Sequence, residues 1–144
     1  MNFDAEMAKD MGRLSRDPLA WVRYAFPWGK GQLSGYNGPD AWQRDILKYV
    51  RDNLSRKEPL RVAVASGHGI GKSALVAWLI LWSLSTCPDA RGIVTANTGS
   101  QLKTKTWAEL AKWYNRFIAR HWFELAATSL SCREKGHEAT WRFD

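Results

Sequence analysis

Cysteines and long apolar runs are both scarce in this sequence of 144 residues, and each scarcity excludes a class of protein. Two cysteines, Cys87 and Cys132, are too few for a disulfide framework and indicate a reducing compartment. The longest apolar run, residues 74–82, is far shorter than the ~20 residues of a membrane-spanning helix, so we expect no membrane partner. The first residues lack the basic and apolar regions of a signal peptide, which makes the cytoplasm the expected location.

The excess of basic over acidic residues is the clearest feature of the composition. Lysine and arginine number 21 against 14 aspartates and glutamates, which gives a net charge of +7. Such an excess favours a polyanionic partner, although charges spread along the chain are also typical of an ordinary solvated surface. The length predicts one domain or part of one, short for a complete mechanical NTPase.

Residues 66–73 carry the most informative motif of the chain. Their glycines, lysine and terminal hydroxyl have a spacing typical of a P-loop, preceded by a β-branched run at 60–65 and followed by a helical run at 74–82. Glycines allow the backbone N–H groups to approach phosphate oxygens at the N-terminus of the following helix. The residues expected to bind nucleotide phosphates are Ser66, Gly67, His68, Gly69, Ile70, Gly71, Lys72 and Ser73.

Two side chains of the motif have predicted chemical roles. Lys72 is the expected catalytic cation at the β- and γ-phosphates of ATP, and Ser73 is the expected Mg²⁺ ligand. Ser66 stands where the strict pattern has glycine, so a glycine-rich turn between a strand and a helix is the alternative. His68 either contacts phosphate or points outward. Cys132 and His137 lack a second pair of ligands at zinc spacing, so we do not predict a zinc site.

The chain divides into a helical arm, residues 1–56, and a segment of alternating strands and helices, residues 57–144. In the arm, Asp17 is the expected N-cap of a helix ending at Pro27, and Asp40 begins a second helix ending near Arg56. The predicted fold class is α/β, a partial P-loop NTPase core with a parallel sheet preceded by this helical arm. Beyond the arm we predict strands at 60–65, 92–96 and 139–143, and a long helix at 100–120 that packs on the sheet.

Three segments in this order, 39–44, 66–73 and 94–101, resemble the N-terminal ATPase domain of the large terminase subunit of tailed bacteriophages and prophages. The segments 26–29 and 107–110 are also similar to that family. The resemblance implies an ATP-driven motor that packages DNA into procapsids in the cytoplasm of a bacterial host. It implies ATP and Mg²⁺ as cofactors and non-specifically bound double-stranded DNA, the portal and the small terminase subunit as partners.

The resemblance also assigns roles to residues outside the P-loop. Gln43, between Trp42 and Arg44, corresponds to the glutamine that reads adenine in these motors; the alternative is a glutamine on the solvent side of a helix. Residues 95–101 are similar to a segment that lies near DNA or couples the motor, and an ordinary N-cap before a helix is equally compatible.

Elements of a complete ATPase are not recognisable in the sequence, so its ATPase activity is left open. The only strand end with an aspartate is Asp144, and neither a catalytic glutamate nor a nuclease-like acidic cluster follows the family pattern. Two alternatives to the terminase interpretation therefore stay open. One is another helicase-like DNA translocase, and the other is an inactive, truncated prophage product that binds nucleotide weakly or not at all.

Overall fold

The computed structural model describes residues 3–64 and 71–144, which form a mixed α/β fold. The predicted presence of both helices and strands is therefore confirmed. The arm contains α1 (Phe3–Arg13), α2 (Pro18–Ala25) and α3 (Ala41–Asn53). The helices that follow are α4 (Lys72–Thr86), α5 (Gly99–Gln101) and α6 (Ala108–Tyr114). Short 3₁₀ turns lie at Leu14–Arg16, Gly31–Leu33 and Arg120–Trp122.

Helices α2 and α3 of the arm begin where their capping residues predict. Asp17 accepts a hydrogen bond from the backbone N–H of Ala20 at 3.1 Å, and Pro18 occupies the first position of α2. Asp40 and Gln43 form a capping box at the start of α3. These signals are local, so the sequence alone locates both helices.

Helix α4 is the central element of the core. Its residues are apolar on nearly every face, and Leu81 and Leu84 are completely buried. A helix that is apolar all round requires neighbours on all sides. Helix α4 has them, because α1, α2, α6 and the fourth strand all pack against it.

The long helix predicted at 100–120 is shorter and packs elsewhere than expected. Helix α5 continues through a π-helical segment, Leu102–Trp107, into α6, which ends at Tyr114. Helix α6 packs mainly against α4 rather than against the sheet. The rings of Trp113 on α6 and Trp78 on α4 meet edge-to-face at 5.2 Å. Beyond α6 the chain leaves the helix, and the buried Phe117 contacts the ring of Trp21 at 5.5 Å. The helix therefore ends at Tyr114, three residues before a phenylalanine, Phe117, that is buried in the core.

The sheet is mixed, so the prediction of a parallel sheet is wrong for the described residues. Strands β1 (Arg91–Gly92), β2 (Phe123–Leu125), β3 (Leu130–Cys132) and β4 (Arg142–Phe143) lie in the order β1-β4-β3-β2. Only β1 and β4 are parallel; β4–β3 and β3–β2 are antiparallel. The sequence prediction missed the β2–β3 hairpin, which closes with a 2.8 Å hydrogen bond from Ala126 N–H to the Ser129 carbonyl. A short connection of this kind favours antiparallel pairing.

The strand predicted at 60–65 is wrong for residues 60–64, which have no strand pairing; Ala65 lies outside the described residues. Val62 and Val64 are 46% and 37% exposed. The strand predicted at 92–96 begins earlier, at Arg91, and its regular pairing ends at Gly92. Because a β-branched run becomes a strand only where a neighbour pairs with it, the predicted strand–helix–strand crossover is not formed by the described residues.

Both predicted parts of the chain contribute to one hydrophobic core. Rings of the arm meet rings of the following segment: Trp28 lies 5.9 Å from Trp78, and Phe26 lies 5.0 Å from Trp113. The arm therefore packs directly against α4 and α6. None of the helices in the described ranges is long and apolar enough to cross a bilayer.

Candidate functional site

The end of the glycine-rich motif lies at the N-terminus of α4. Gly71 precedes the helix with a positive φ of 92°, Lys72 is its first residue, and Ser73 is exposed beside it. The first N–H groups of a helix have no intrahelical partners and, with the helix dipole, favour anions. The remaining predicted phosphate ligands, Ser66, Gly67, His68, Gly69 and Ile70, lie outside the described residues.

Gln43 connects α3 to the end of this motif. Its side-chain oxygen accepts a hydrogen bond from the backbone N–H of Asp40 at 2.8 Å, and its nitrogen donates to the carbonyl of Gly71 at 3.0 Å. The residue is 4% exposed, so the alternative of a solvent-facing glutamine is wrong. Its role in reading adenine stays a prediction. Its role as a cap was missed, although the spacing of Asp40 and Gln43 is a known capping-box signal.

Glycine is strongly favoured at position 71. A Cβ atom there would lie 2.6 Å from the side-chain nitrogen of Gln43, closer than real Cβ contacts. The positive φ of 92° adds backbone strain for any other residue. The carbonyl of Gly71 is therefore linked to α3 through the side chain of Gln43.

A cavity of about 390 Å³ opens beside Gln43 and Gly71. Its volume lies in the range of ~300–1,000 Å³ typical of small-molecule sites. Its aromatic lining residues come from the loop after α2, from α4 and from α6, and they are Trp28, Tyr36, Trp78 and Trp113. Its polar lining includes Gln32, Asp40, Glu109, Lys112 and Arg116. Aromatic walls with a few polar groups suit a planar, partly polar ligand.

Contacts within the wall hold its charged residues in place. One carboxylate oxygen of Glu109, Oε1, accepts from the indole N–H of Trp113 at 3.0 Å and lies 3.6 Å from Lys112. The guanidinium of Arg116 stacks over the Trp113 ring at 4.6 Å and donates to the side-chain oxygen of Gln32. Helix α6 and the residues just after it therefore present both acidic and basic groups to the cavity.

Asp144, the aspartate predicted at a strand end, forms a salt bridge with Arg142. The carboxylate of Asp144 accepts hydrogen bonds from Arg142 at 2.6 and 3.1 Å, and its backbone N–H donates to the carbonyl of Gly92. This contact raises the pKa of Arg142. The carboxylate of Asp144 is thus paired with the guanidinium of Arg142 at the C-terminal end of β4.

The segment predicted to lie near DNA or to couple the motor has ordinary capping geometry. The hydroxyl of Thr98 accepts from the backbone N–H of Gln101 at 3.0 Å at the start of α5. Among the basic residues nearby, Lys103 and Lys105 are exposed. This contact is the ordinary N-cap that was the alternative interpretation of the segment.

Neither Cys132 nor His137 belongs to a cluster of three potential metal ligands within the described ranges. Burial raises the pKa of the Cys132 thiol. A hydrogen bond with Asp89 raises the pKa of His137, whose Nδ1 lies 3.1 Å from that carboxylate.

Comparisons with protein-family models, curated proteins and solved structures find no match for this chain.

Replacing Gln43 with alanine is expected to lower the free energy of unfolding by about 1–3 kcal/mol, since both Asp40 N–H and the Gly71 carbonyl lose a buried partner. Urea unfolding of both forms measures the effect. Gln101→Ala, at an exposed position, is the matched control and should cost much less. Equal stability of Gln43→Ala and the native chain would show that neither hydrogen bond contributes.

Proposed function

We propose that this chain is the ATP-binding part of a DNA-packaging motor of the terminase large-subunit type, with a P-loop at residues 66–73. The observation that carries the proposal is the direct hydrogen bond between Gln43 and Gly71 at the N-terminus of α4. It joins two of the three segments on which the resemblance rests. The adjoining aromatic cavity supplies room for a base next to a helix N-terminus suited to phosphates.

In this proposal the residues at the start of α4 bind the phosphates of ATP. Backbone N–H groups after Gly71 donate to phosphate oxygens, and the ammonium of Lys72 neutralises charge on the β- and γ-phosphates. The exposed hydroxyl of Ser73 suits Mg²⁺, which prefers oxygen ligands and is commonly shared with phosphates. When bound, Mg²⁺ supplies charge neutralisation for phosphoryl transfer.

Gln43 has limited hydrogen-bonding capacity left for a base. Its oxygen already accepts from Asp40 and one amide hydrogen is donated to Gly71. Each carboxamide has two N–H donors, so one further donor is available in principle. In this proposal Gln43 therefore positions Gly71 through one amide hydrogen and donates the other to adenine.

Calorimetric titration of Mg-ATP into the purified chain tests the proposal. We expect saturable binding at one site per chain. Heat indistinguishable from dilution at millimolar ATP would overturn the assignment of a P-loop. The portal and the small terminase subunit enter the proposal only as partners of the complete motor.

Binding of double-stranded DNA is the second part of the proposal, supported by the net charge of +7. We expect it to be non-specific and steeply salt-dependent, because its main contribution is release of counterions from phosphates. Among the candidate basic residues, Lys103 and Lys105 are exposed on the π-helical segment, whereas Arg116 is held against Trp113. The two lysines are therefore the better test.

The double substitution Lys103→Gln and Lys105→Gln should lower the slope of log K against log salt by about 2, since each phosphate contact contributes about 0.9. Fluorescence anisotropy with a labelled duplex at several salt concentrations measures the slope. A matched double substitution of Lys9 and Lys57, both exposed, controls for net charge alone. An equal decrease in both double variants would show that no local contact exists, and salt-insensitive binding would contradict the DNA proposal.

A further inference from the structure

A second cavity, of about 330 Å³, lies between the loop after α2 and the segment after α6. Its charged lining residues are all basic: Lys30, Arg116 and Arg120. None of the described residues that line it is acidic, whereas the cavity beside Gly71 is lined by Asp40 and Glu109 as well as by basic residues. Like charges around one small space repel one another, and an anion between them removes the repulsion. The charge of this lining therefore suits an anionic ligand.

Neutral groups of the protein hold the guanidinium of Arg116 at this cavity. Its Nε and Nη2 atoms donate to the side-chain oxygen of Gln32 at 3.1 and 2.9 Å, and Gln32 is itself a lining residue. The guanidinium also stacks over the ring of Trp113 at 4.6 Å. A guanidinium has five N–H groups, so these contacts leave three donors for a ligand.

The guanidinium of Arg120 is held in a similar way on the other side of Arg116. Its Nη1 atom donates to the backbone carbonyl of Asn115 at 3.2 Å, and Asn115 also lines the cavity. In the part of the chain that the structure describes, neither arginine forms a salt bridge, in contrast to Arg51. Neutral acceptors orient a guanidinium without cancelling its charge. The remaining donors of both arginines are therefore preorganised for an anion.

A phosphate group is the anion that matches these donors. The guanidinium presents its N–H groups in a fixed fork, which binds two oxygens of one phosphate or carboxylate. A carboxylate offers two oxygens and a single negative charge, too few for two guanidinium groups and a lysine around one cavity. A phosphate group offers more oxygens and, in a polyphosphate or along a nucleic-acid backbone, is accompanied by further negative charges.

We propose that this cavity is a phosphate-binding site separate from the one at the start of α4, and that Arg116 and Arg120 bind the phosphate. The phosphate belongs either to a small polyphosphate or to a DNA backbone, and titration with each source distinguishes them. The inference goes beyond the proposed function, because neither arginine belongs to the P-loop and the site does not require ATP. Gln32 and Arg116 also line the cavity beside Gly71, so the two sites would be neighbours.

NMR of the native chain tests the inference without a variant. The Nε–H signals of arginines report on guanidinium groups alone, and residues 66–73 contain no arginine. Sodium pyrophosphate or a short DNA duplex should shift the signals of Arg116 and Arg120 and leave that of Arg51, which is paired with Asp52, in place. Sodium chloride at the same ionic strength should shift none of them. Equal shifts with chloride, or no shift of the two arginines with either ligand, overturn the site.

The two ligands distinguish the source of the phosphate. A lower midpoint per phosphate for pyrophosphate assigns the site to a small polyphosphate, and a lower midpoint for the duplex assigns it to a DNA backbone. Both shifts should persist at the same midpoint in Lys72→Ala. Loss of the shifts in that variant would mean that the ligand binds at the P-loop, which overturns this inference and supports the proposed function. Failure of the native chain to bind ATP, with these shifts retained, rejects the proposed function and keeps this site.

The double substitution Arg116→Gln and Arg120→Gln measures the contribution of the two side chains. The backbone N–H signal of Gly31, another lining residue, gives the titration midpoint in each variant. We expect the midpoint to rise at least tenfold, because charge-assisted hydrogen bonds to the phosphate are lost. Arg61→Gln with Arg91→Gln is the matched control, since both residues are exposed, lie outside the lining and remove the same charge. An equal rise in both double variants would attribute binding to net charge and overturn the site.

Discussion

Replacement of Lys72 with alanine is expected to weaken the binding of Mg-ATP at least tenfold. Lys72 is the first residue of α4, where its ammonium can reach phosphates held by the helix N-terminus. Charge-assisted hydrogen bonds to phosphate are about twice as strong as neutral ones, and alanine retains none of them. A tenfold change corresponds to about 1.4 kcal/mol of binding free energy.

Calorimetric titration of the native chain and of Lys72→Ala measures this difference. Lys48→Ala is the matched control, because Lys48 is an exposed lysine of α3 whose removal changes the net charge equally. The control should bind ATP with nearly native affinity. Tight binding retained by Lys72→Ala, or an equal loss in both variants, would show that Lys72 does not contact the phosphates.

Phosphate release by this chain is expected to be slower by several powers of ten than in a complete P-loop ATPase. Phosphoryl transfer depends on positioning and charge stabilisation, and the groups that fix metal and water supply on the order of 4–7 kcal/mol of the barrier. The candidate acid, Asp144, is already neutralised by Arg142 at 2.6 Å. Binding and turnover should therefore separate in the 144-residue chain.

A coupled phosphate-release assay measures the turnover. Lys72→Ala serves as the control for contaminating ATPase, and Asp144→Asn tests the candidate acid directly. We expect the rate of Asp144→Asn to equal that of the native chain. Turnover near one per second that disappears in Lys72→Ala would contradict the expectation, and its loss in Asp144→Asn would identify Asp144 as the missing acid.

Helices α2 and α3 of the arm were predictable because their signals lie within a few residues. The N-cap Asp17 followed by Pro18 located α2, and the apolar spacing after Asp40 located α3. The apolar run of α4 predicted a buried helix, which the structure confirms. In each case propensity, capping and periodicity act on neighbouring residues, so tertiary contacts did not have to be known.

The sheet could not be predicted in the same way. Residues 60–64 have a strand-like sequence and no strand, whereas the strand predicted at 139–143 is formed at Arg142–Phe143 and pairs with β1 about 50 residues earlier. Pairing is decided by which segments meet in the folded chain, and the short apolar runs of β2 and β3 do not reveal it. The helix predicted at 100–120 likewise ends early, at Tyr114, and Phe117 beyond it is buried in the core.

For the candidate site, the sequence by itself determined the motif at residues 66–73 and the helical run that follows it at 74–82, whereas Gln43 was singled out by the family resemblance. The spacing of glycines, lysine and hydroxyl in this motif is a property of neighbouring residues, so the sequence alone shows it. Only the tertiary structure decided that Gln43 bonds Gly71 and that Trp78, Trp113 and Glu109 line one cavity. These residues come from three helices far apart in the chain, and packing of their apolar faces, which no local pattern encodes, brings their polar atoms together.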